Sequence, residues 1–268
     1  MTAAARSLLV VLFAGILITP GATSHALYRH VSSEGVVEFT RGFESPGVVG
    51  LVLLWAFALI PLIGLLRALN AWGRRTRTVS RLLADSDPCD EGGIPHLRFR
   101  SDDIAVFTAG AWRPVIVVSD GAADALSPRE LRAALLHEQA HQRRRDVFWR
   151  ALLIAVGRAF GFVPGTRKMV AEAVLRTECF ADDEAIRRGA TPHALFEAIV
   201  SAATSPAFGT AGLTDSAVEF RLRRLAIPGA DLPAGPGTRL IFRLSLLAGV
   251  PLVGHALLLV GLACTGAY

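Results

Sequence analysis

Three long stretches of the chain are almost entirely apolar and carry no formally charged residue. They cover residues 7–28, 46–66 and 244–268. Because a helix needs about 20 consecutive apolar residues to cross a bilayer, this pattern predicts about three transmembrane helices. For the first stretch a cleaved signal peptide is the alternative, since its dense apolar part is short and small residues follow it.

The arginines predict how these segments are oriented. They cluster just after the second stretch and just before the third, whereas the loop between the first two stretches holds only two of them. By the positive-inside rule, residues 67–243 face the cytoplasm in a multi-pass protein of the cell membrane. The predicted domains are a first transmembrane helix with a short outer loop, a second transmembrane helix, a cytoplasm-facing domain and a C-terminal transmembrane helix, over residues 1–46, 47–69, 70–238 and 239–268.

Composition and charge agree with this plan. Charged residues make up 19% of the chain, against about 25% in ordinary soluble domains. The formal net charge is +5, but the arginines that produce it lie beside the predicted membrane segments. We therefore expect the lipid bilayer to be their partner, and we expect no direct contact with nucleic acid.

Short apolar runs inside the cytoplasm-facing domain predict a small sheet. One strand is expected over residues 115–118, and its neighbour over residues 104–107, with Gly110 in the connection. Residues 115–118 form either an edge strand, to which an extended peptide could add, or an ordinary buried strand.

A helix with candidate metal ligands follows this sheet. Ser127 and Glu130 form a capping-box pair around Pro128, which predicts a helix start. His137 and His141 then lie four residues apart on one face of that helix. Two imidazoles so placed can bind one Zn²⁺, with Glu138 positioned to act on water as a general base.

A second helix-prone segment supplies the remaining candidates. Glu178 is the candidate third metal ligand, because a catalytic zinc ion takes three protein ligands and leaves a fourth position open. Asp182, one turn later on the same face, is expected to hold a ligand histidine through its other ring nitrogen.

The apolar segment 148–164 lies between these two helices. If it crossed a membrane once, the histidine pair and Glu178 would lie on opposite sides and could not share a metal. The segment is therefore either a buried helix or a re-entrant one that dips into the membrane surface and returns, with Arg150 and Arg158 reaching the interface.

These motifs resemble the BlaR/MecR-type membrane zinc metallopeptidases, a gluzincin family related to the HtpX-type and CAAX-prenyl-type membrane proteases. The resemblance covers about residues 67–265 and rests on His137-Glu-Gln-Ala-His141, on Glu178-x-x-Ala-Asp182 and on residues 113–119. It implies a mainly α membrane protein with a cytoplasm-facing, zincin-like α+β domain. It also implies one zinc ion per chain, bound by His137, His141 and Glu178, and Glu138 as the catalytic base.

The resemblance carries further expectations. Residues 221–225 are similar to the family's later arginine motif, which makes Arg221 either a transition-state arginine or a structural one. The antibiotic-sensing members carry a penicillin-binding domain after the last membrane segment. Because this chain ends at Tyr268, we expect no such sensor.

The expected function is an integral-membrane zinc endopeptidase that acts on a polypeptide. Regulated proteolysis of a transcriptional repressor is the role that the resemblance implies. One alternative is a quality-control protease for membrane proteins. The other is a non-catalytic membrane signal transducer that retains the fold, although the presence of His137, Glu138, His141 and Glu178 together argues against it.

Overall fold

The computed structural model describes residues 46–161, 165–204 and 215–227, together with five isolated positions between residues 21 and 32. Within these ranges the chain is helical with a small mixed sheet. The elements run in the order α1 (Pro46–Ala84), β1 (Asp87–Glu91), β2 (Ile94–Phe99), β3 (Val106–Ala109), β4 (Val115–Ser119), α2 (Asp120–Ala125), α3 (Pro128–Arg144), α4 (Asp146–Ala159), α5 (Thr166–Arg187), α6 (Pro192–Ala203) and α7 (Asp215–Ala226).

The chain divides into two compact units. One comprises Met1–Ala71, Leu152–Val170 and Pro236–Tyr268, and the other comprises Trp72–Ala151 and Ala171–Gly235. The second unit contains the sheet, helix α3 and every residue that the candidate site uses.

The sheet has four strands in the order β1-β2-β4-β3. Strand β4 matches the strand predicted over residues 115–118, and it pairs in parallel with β2 and in antiparallel with β3. Its neighbour β3 begins two residues later than predicted, and the connection includes Gly110 in the left-handed region (φ 86°). Because β4 has a partner on each side, it is an inner strand, and the edge-strand alternative for residues 115–118 is wrong. The edge beside helix α3 belongs to β3.

The core of the second unit fixes helix α3 against this sheet. Its start is as predicted, because Ser127 accepts a hydrogen bond from the Glu130 backbone N–H and the Glu130 side chain accepts one from the Ser127 N–H. Leu131 and Leu135 are buried in a cluster with apolar residues of β4 and α6. Burying a leucine side chain stabilises a fold by roughly 1.5–3 kcal/mol, so the helix is held in a defined rotation about its axis.

The prediction of about three transmembrane helices is wrong. In the ranges given above, no helix is long and apolar enough to cross a membrane. The second predicted segment forms the first part of α1, which continues to Ala84 through five arginines. Some of its apolar residues pack within the protein instead: Leu65 is fully buried, and a Cβ built on Gly64 would lie 2.8 Å from Ala159 Cα. The other two predicted segments, and the residues from 228 onward, lie outside the described residues apart from the isolated positions.

Residues 148–161 form most of helix α4 and the turn that follows it, and this helix has a buried face. Leu153, Val156 and Ala159 are each at most 6% exposed. The structure therefore has a helix with one buried face over most of this segment, and the choice between a buried and a re-entrant helix stays a prediction. Helix α5 follows, and Gly189 lies just beyond it with φ 102°, a conformation that suits glycine at the end of a helix.

Candidate metal centre

Two histidines on helix α3 converge on one point. His137 and His141 lie one turn apart, and their Nε2 atoms are 3.1 Å from each other. Both side chains are buried, with exposed fractions of 8% and 10%. Two nitrogen donors at this distance face the same small volume.

Glu178 of helix α5 completes a triangle of donor atoms. Its Oε2 lies 3.4 Å from His137 Nε2 and 3.6 Å from His141 Nε2. Donors bound to a tetrahedral zinc ion at about 2.0–2.1 Å are separated by roughly 3.3 Å. The three observed distances bracket that value, so the residues fit a cation of this kind.

Asp182 and Arg221 stand behind His137, and we call this pair the inner support. Asp182 Oδ1 lies 2.9 Å from His137 Nδ1. Arg221 of helix α7 donates from Nε and Nη2 to the two Asp182 carboxylate oxygens, at 2.9 and 2.6 Å. A third donor, Arg221 Nη1, reaches Glu178 Oε2 at 3.2 Å. Through these contacts, helix α7 is connected to two predicted ligands: to Glu178 directly, and to His137 through Asp182.

Asp146 contacts the Nδ1 atom of His141, as Asp182 contacts that of His137. Its Oδ2 lies 3.1 Å from His141 Nδ1. Helix α3 ends at Arg144, and its C-cap residue Arg145 adopts the left-handed conformation (φ 54°, ψ 40°), so that the chain turns and α4 starts at Asp146. That conformation costs a non-glycine residue roughly 1 kcal/mol. Its result is to place the first carboxylate of α4 beside the second histidine of α3.

Arg150, one turn further along α4, contacts the same Glu178 from another direction. Its Nη1 donates to Glu178 Oε1 at 2.8 Å. We call Asp146 and Arg150 the cleft-side support. Glu178 thus receives one arginine on each carboxylate oxygen.

Glu138 faces the same space without joining the triangle of ligands. A side-chain donor atom of Glu138 lies within 4.8 Å of those of His137 and His141. The Thr108 hydroxyl of strand β3 donates toward Glu138, lying 2.8 Å from its Oε2 and 2.9 Å from its carbonyl oxygen. One carboxylate oxygen is held in this way, and the other remains to accept a proton.

A cleft of about 190 Å³ opens beside these groups. Its polar lining includes most of the residues just described together with Thr177, and its remaining lining is largely aliphatic. The aliphatic part includes Ile104, Val106, Leu126, Leu195 and Ile199. The cleft therefore combines a cluster of charged groups with room for an apolar side chain.

The buried charges shift each other's pKa values. Burial alone would lower the pKa of His141, but the Glu178 charge and the contact with Asp146 raise it to about 10. Burial likewise opposes protonation of His137, and Asp182 and Glu178 still raise its pKa. Burial would raise the carboxylate pKa values, but the His141 and Arg221 charges hold that of Glu178 well below its usual range.

Arg221 has the corresponding effect on Asp182. Against the effect of burial, the Arg221 charge and the contact with His137 lower the Asp182 pKa to about 2. Both carboxylates are therefore anionic at neutral pH. With a pKa of about 10, His141 is protonated at neutral pH, so a cation that binds its Nε2 must displace a proton.

The structure brings together all six residues singled out in the sequence. They are His137, Glu138, His141, Glu178, Asp182 and Arg221. Sequence reasoning missed Asp146, Arg150 and Thr108. Asp146 lies five residues after His141, beyond the reach of the one-turn helical rule, and the signal for Arg150 was a charge inside an apolar helix, which commonly marks a buried partner.

Comparison with protein families places this site in a known context. Residues 18–207 match the family described as BlaR1 peptidase M56. The match covers more than two thirds of the chain and includes both helices that carry the ligand triangle. The chain belongs to this family.

Membership of the BlaR1 peptidase M56 family makes the protein a peptidase of the metallopeptidase type, and the resemblance noted in the sequence is confirmed. The buried His137, Glu138 and His141 group is compatible with a metal site. No curated protein and no solved structure is similar enough to this chain to give a match.

Proposed function

We propose that the protein is a zinc-dependent endopeptidase. The observation that carries this proposal is the triangle of two imidazole nitrogens and one carboxylate oxygen, with a glutamate beside it at the mouth of a cleft. Two histidines and one glutamate form a ligand set of catalytic zinc sites, which keep a fourth position open. Zinc, when bound, supplies a Lewis acid that polarises the scissile carbonyl and makes water a stronger nucleophile at neutral pH.

The protein's own residues supply the proton transfers. Glu138 accepts a proton from the attacking water through the carboxylate oxygen that Thr108 does not hold. It then delivers that proton to the leaving nitrogen of the cleaved peptide. The Thr108 hydroxyl, 2.8 Å from Oε2, limits rotation of the carboxylate. Water attacks directly, so no covalent enzyme intermediate forms.

The carboxylates behind the histidines fix which ring nitrogen is available. Asp182 and Asp146 lie beside the Nδ1 atoms of His137 and His141. They favour the proton on Nδ1, so that each Nε2 presents its lone pair to the centre of the triangle. Arg221 balances Asp182 and Glu178, which lowers the cost of burying two anions.

The substrate is proposed to be a polypeptide in extended form. In the part of the chain that the structure describes, β3 pairs on one side only, and Val106, Phe107 and Thr108 line the cleft. An extended segment can add to such an edge through backbone hydrogen bonds. The aliphatic lining then accepts an apolar side chain near the scissile bond.

Regulated proteolysis of a transcriptional repressor is the biological role we propose from the family resemblance. Its support is the likeness to BlaR/MecR-type peptidases. Comparing the level of the intact repressor in cells that carry the wild type or Glu138→Gln tests this role. Equal levels under inducing conditions would contradict it, and accumulation of membrane-protein fragments instead would favour quality control.

A peptide-library digest tests the enzymatic proposal directly. Purified protein with added zinc should cleave internal peptide bonds, and mass spectrometry should show an apolar residue next to the cleaved bond. Glu138→Gln should bind zinc but lose at least 100-fold in kcat, because general-base catalysis contributes 10²–10⁴-fold. Zinc-loaded wild type that cleaves no library member, or cleaves as fast as Glu138→Gln, would contradict the proposal and favour a non-catalytic transducer.

A further inference from the structure

Helix α4 contacts two ligands that belong to two other helices. Asp146 and Arg150 are four residues apart and therefore lie on one face of α4. Asp146 contacts His141 of α3 at 3.1 Å, and Arg150 contacts Glu178 of α5 at 2.8 Å. One face of α4 thus contacts two of the three residues of the donor triangle, His141 and Glu178.

The two oxygens of Glu178 have different surroundings. Oε2 points toward the imidazoles, at 3.4 and 3.6 Å from their Nε2 atoms, and also accepts from Arg221. Oε1 accepts from Arg150. A carboxylate can bind a metal through one oxygen or both, and a charge-assisted hydrogen bond at 2.8 Å stabilises Oε1 outside the metal's reach.

We propose that Arg150 is a positioning residue that holds Glu178 Oε1, so that Glu178 offers Oε2 alone to the metal. This inference rests on the metal site of the proposed function. Its consequence is that the fourth coordination position stays open for water and substrate. A Glu178 released from Arg150 can swing its second oxygen into that position.

The location of Arg150 supports a role in the cleft rather than in the protein interior. Both arginines line the cleft, but the Arg150 side chain is 29% exposed and that of Arg221 only 5%. A guanidinium at the cleft wall is needed less for balancing buried charge, because water already screens it. It can still set the direction of one carboxylate oxygen, since its donors form a rigid planar fork.

Charge balance and positioning make different predictions for two substitutions. If Arg150 only balanced charge, Arg150→Lys would behave as the wild type and Arg150→Gln would weaken zinc binding without changing coordination. If it positions Oε1, Arg150→Gln changes the coordination number. Arg150→Lys then restores the wild-type state only in part, because an ammonium is a point charge on a flexible stem.

The test uses the full chain loaded with Co²⁺, whose visible absorption weakens as coordination rises from four to five. Wild type should give the strong bands of a four-coordinate site. Arg150→Gln should give weaker bands and a zinc Kd raised about 10–100-fold, the usual effect of changing a partner of a metal ligand. Arg158→Gln is the matched control, since Arg158 is an exposed arginine on the same helix, and it should match the wild type.

Two results would overturn the inference. One is an Arg150→Gln spectrum and zinc Kd equal to those of the wild type, and the other is full restoration by Arg150→Lys. If Arg150→Gln does not fold, X-ray absorption of the zinc-loaded wild type decides, because five ligands would contradict a single Glu178 oxygen. Wild type that binds neither zinc nor Co²⁺ would refute the proposed function itself, which is a separate outcome.

Discussion

His137 and His141 occupy equivalent places in the donor triangle, yet the acid–arginine pairs behind them differ in exposure. In the inner support, Asp182 and Arg221 are 1% and 5% exposed and share two hydrogen bonds. In the cleft-side support, Asp146 is buried and lies 3.4 Å from Arg144 Nε, whereas Arg150 is 29% exposed and contacts Glu178.

This difference suggests that the two supports have different roles: one stabilises the fold around the site, and the other sets the geometry of the metal ligands. The inner support consists of buried charges that stabilise one another. Removing one of them should therefore lower the free energy of unfolding. The cleft-side support includes the more exposed Arg150 at the wall of the cleft, and its loss should change the coordination geometry and the affinity of the metal site. Substitutions in the two supports should therefore differ in their effects on stability and on zinc binding.

The largest effect should come from Arg221→Met. It leaves Asp182 buried without its arginine and Glu178 with Arg150 alone, which should lower the free energy of unfolding by about 3–5 kcal/mol. Arg224→Met is the matched control on the same helix, because Arg224 pairs with the more exposed Asp183, and it should cost about 1 kcal/mol or less. Urea unfolding of the purified variants measures both values, and equal losses would contradict the comparison.

Asp182→Asn and Asp146→Asn should have the same effect on zinc affinity but different effects on stability. Each should weaken zinc binding about 10–100-fold, measured by competition with a chelator, because each changes the partner of a ligand histidine. Asp182→Asn should also lower the melting temperature, since the buried Arg221 loses the carboxylate that accepts two of its hydrogen bonds and keeps only Glu178. A larger stability loss in Asp146→Asn would reverse the assignment of roles.

Zinc binding should strengthen with pH because protons compete for His141. With a pKa of about 10 in the metal-free protein, His141 is protonated at pH 7, and zinc binding should release at least one proton. The apparent affinity should then rise about tenfold per pH unit from pH 7 towards pH 10. Calorimetry in buffers of different ionisation enthalpy measures the release, and an affinity that is constant over this range would contradict it.

The raised pKa of His141 also predicts how the stability of the metal-free protein depends on pH. The pKa of His141 is raised from 6.5 to about 10 by folding, so its contribution to metal-free stability is fully present below about pH 6.5. It is lost as the pH rises through about 10. In Asp146→Asn this loss of stability should occur at lower pH than in the wild type, whereas in Arg224→Met it should occur at the same pH.

The smallest effect should come from Thr108→Val, which touches neither support. It removes the hydroxyl that holds Glu138 Oε2 and should lower kcat by up to about tenfold, the equivalent of one hydrogen bond. Zinc affinity should stay unchanged, and Thr108→Ser should restore most of the rate. A changed zinc affinity in Thr108→Val would show that Thr108 acts on the ligands rather than on Glu138.

The parts of the site that were predictable depend on local geometry. The start of α3 is encoded by Ser127 and Glu130 three residues apart, and the histidine pair by a spacing of one helical turn. Glu178 and Asp182 follow the same one-turn rule on α5. Arg221 was named only through the family resemblance, because its contact joins helices about 40 residues apart.

The parts that were missed depend on tertiary structure. Asp146 reaches His141 only because Arg145 adopts a left-handed conformation, which no local signal in the sequence requires. Thr108 reaches Glu138 through the packing of β3 against α3. Strand β1 was missed because its residues are mostly exposed and polar. Within the described ranges the transmembrane prediction was wrong, because hydropathy alone does not register packing inside the protein such as that of Leu65.

Zinc content is the measurement that tests the central claim most directly. Folded wild type should contain about one zinc ion per chain by elemental analysis, and Glu138→Gln should contain the same amount. Glu178→Gln, checked for folding by circular dichroism, should lose most of it, because the donor triangle keeps only its two nitrogens. Folded wild type without zinc, or Glu178→Gln with full zinc, would contradict the account.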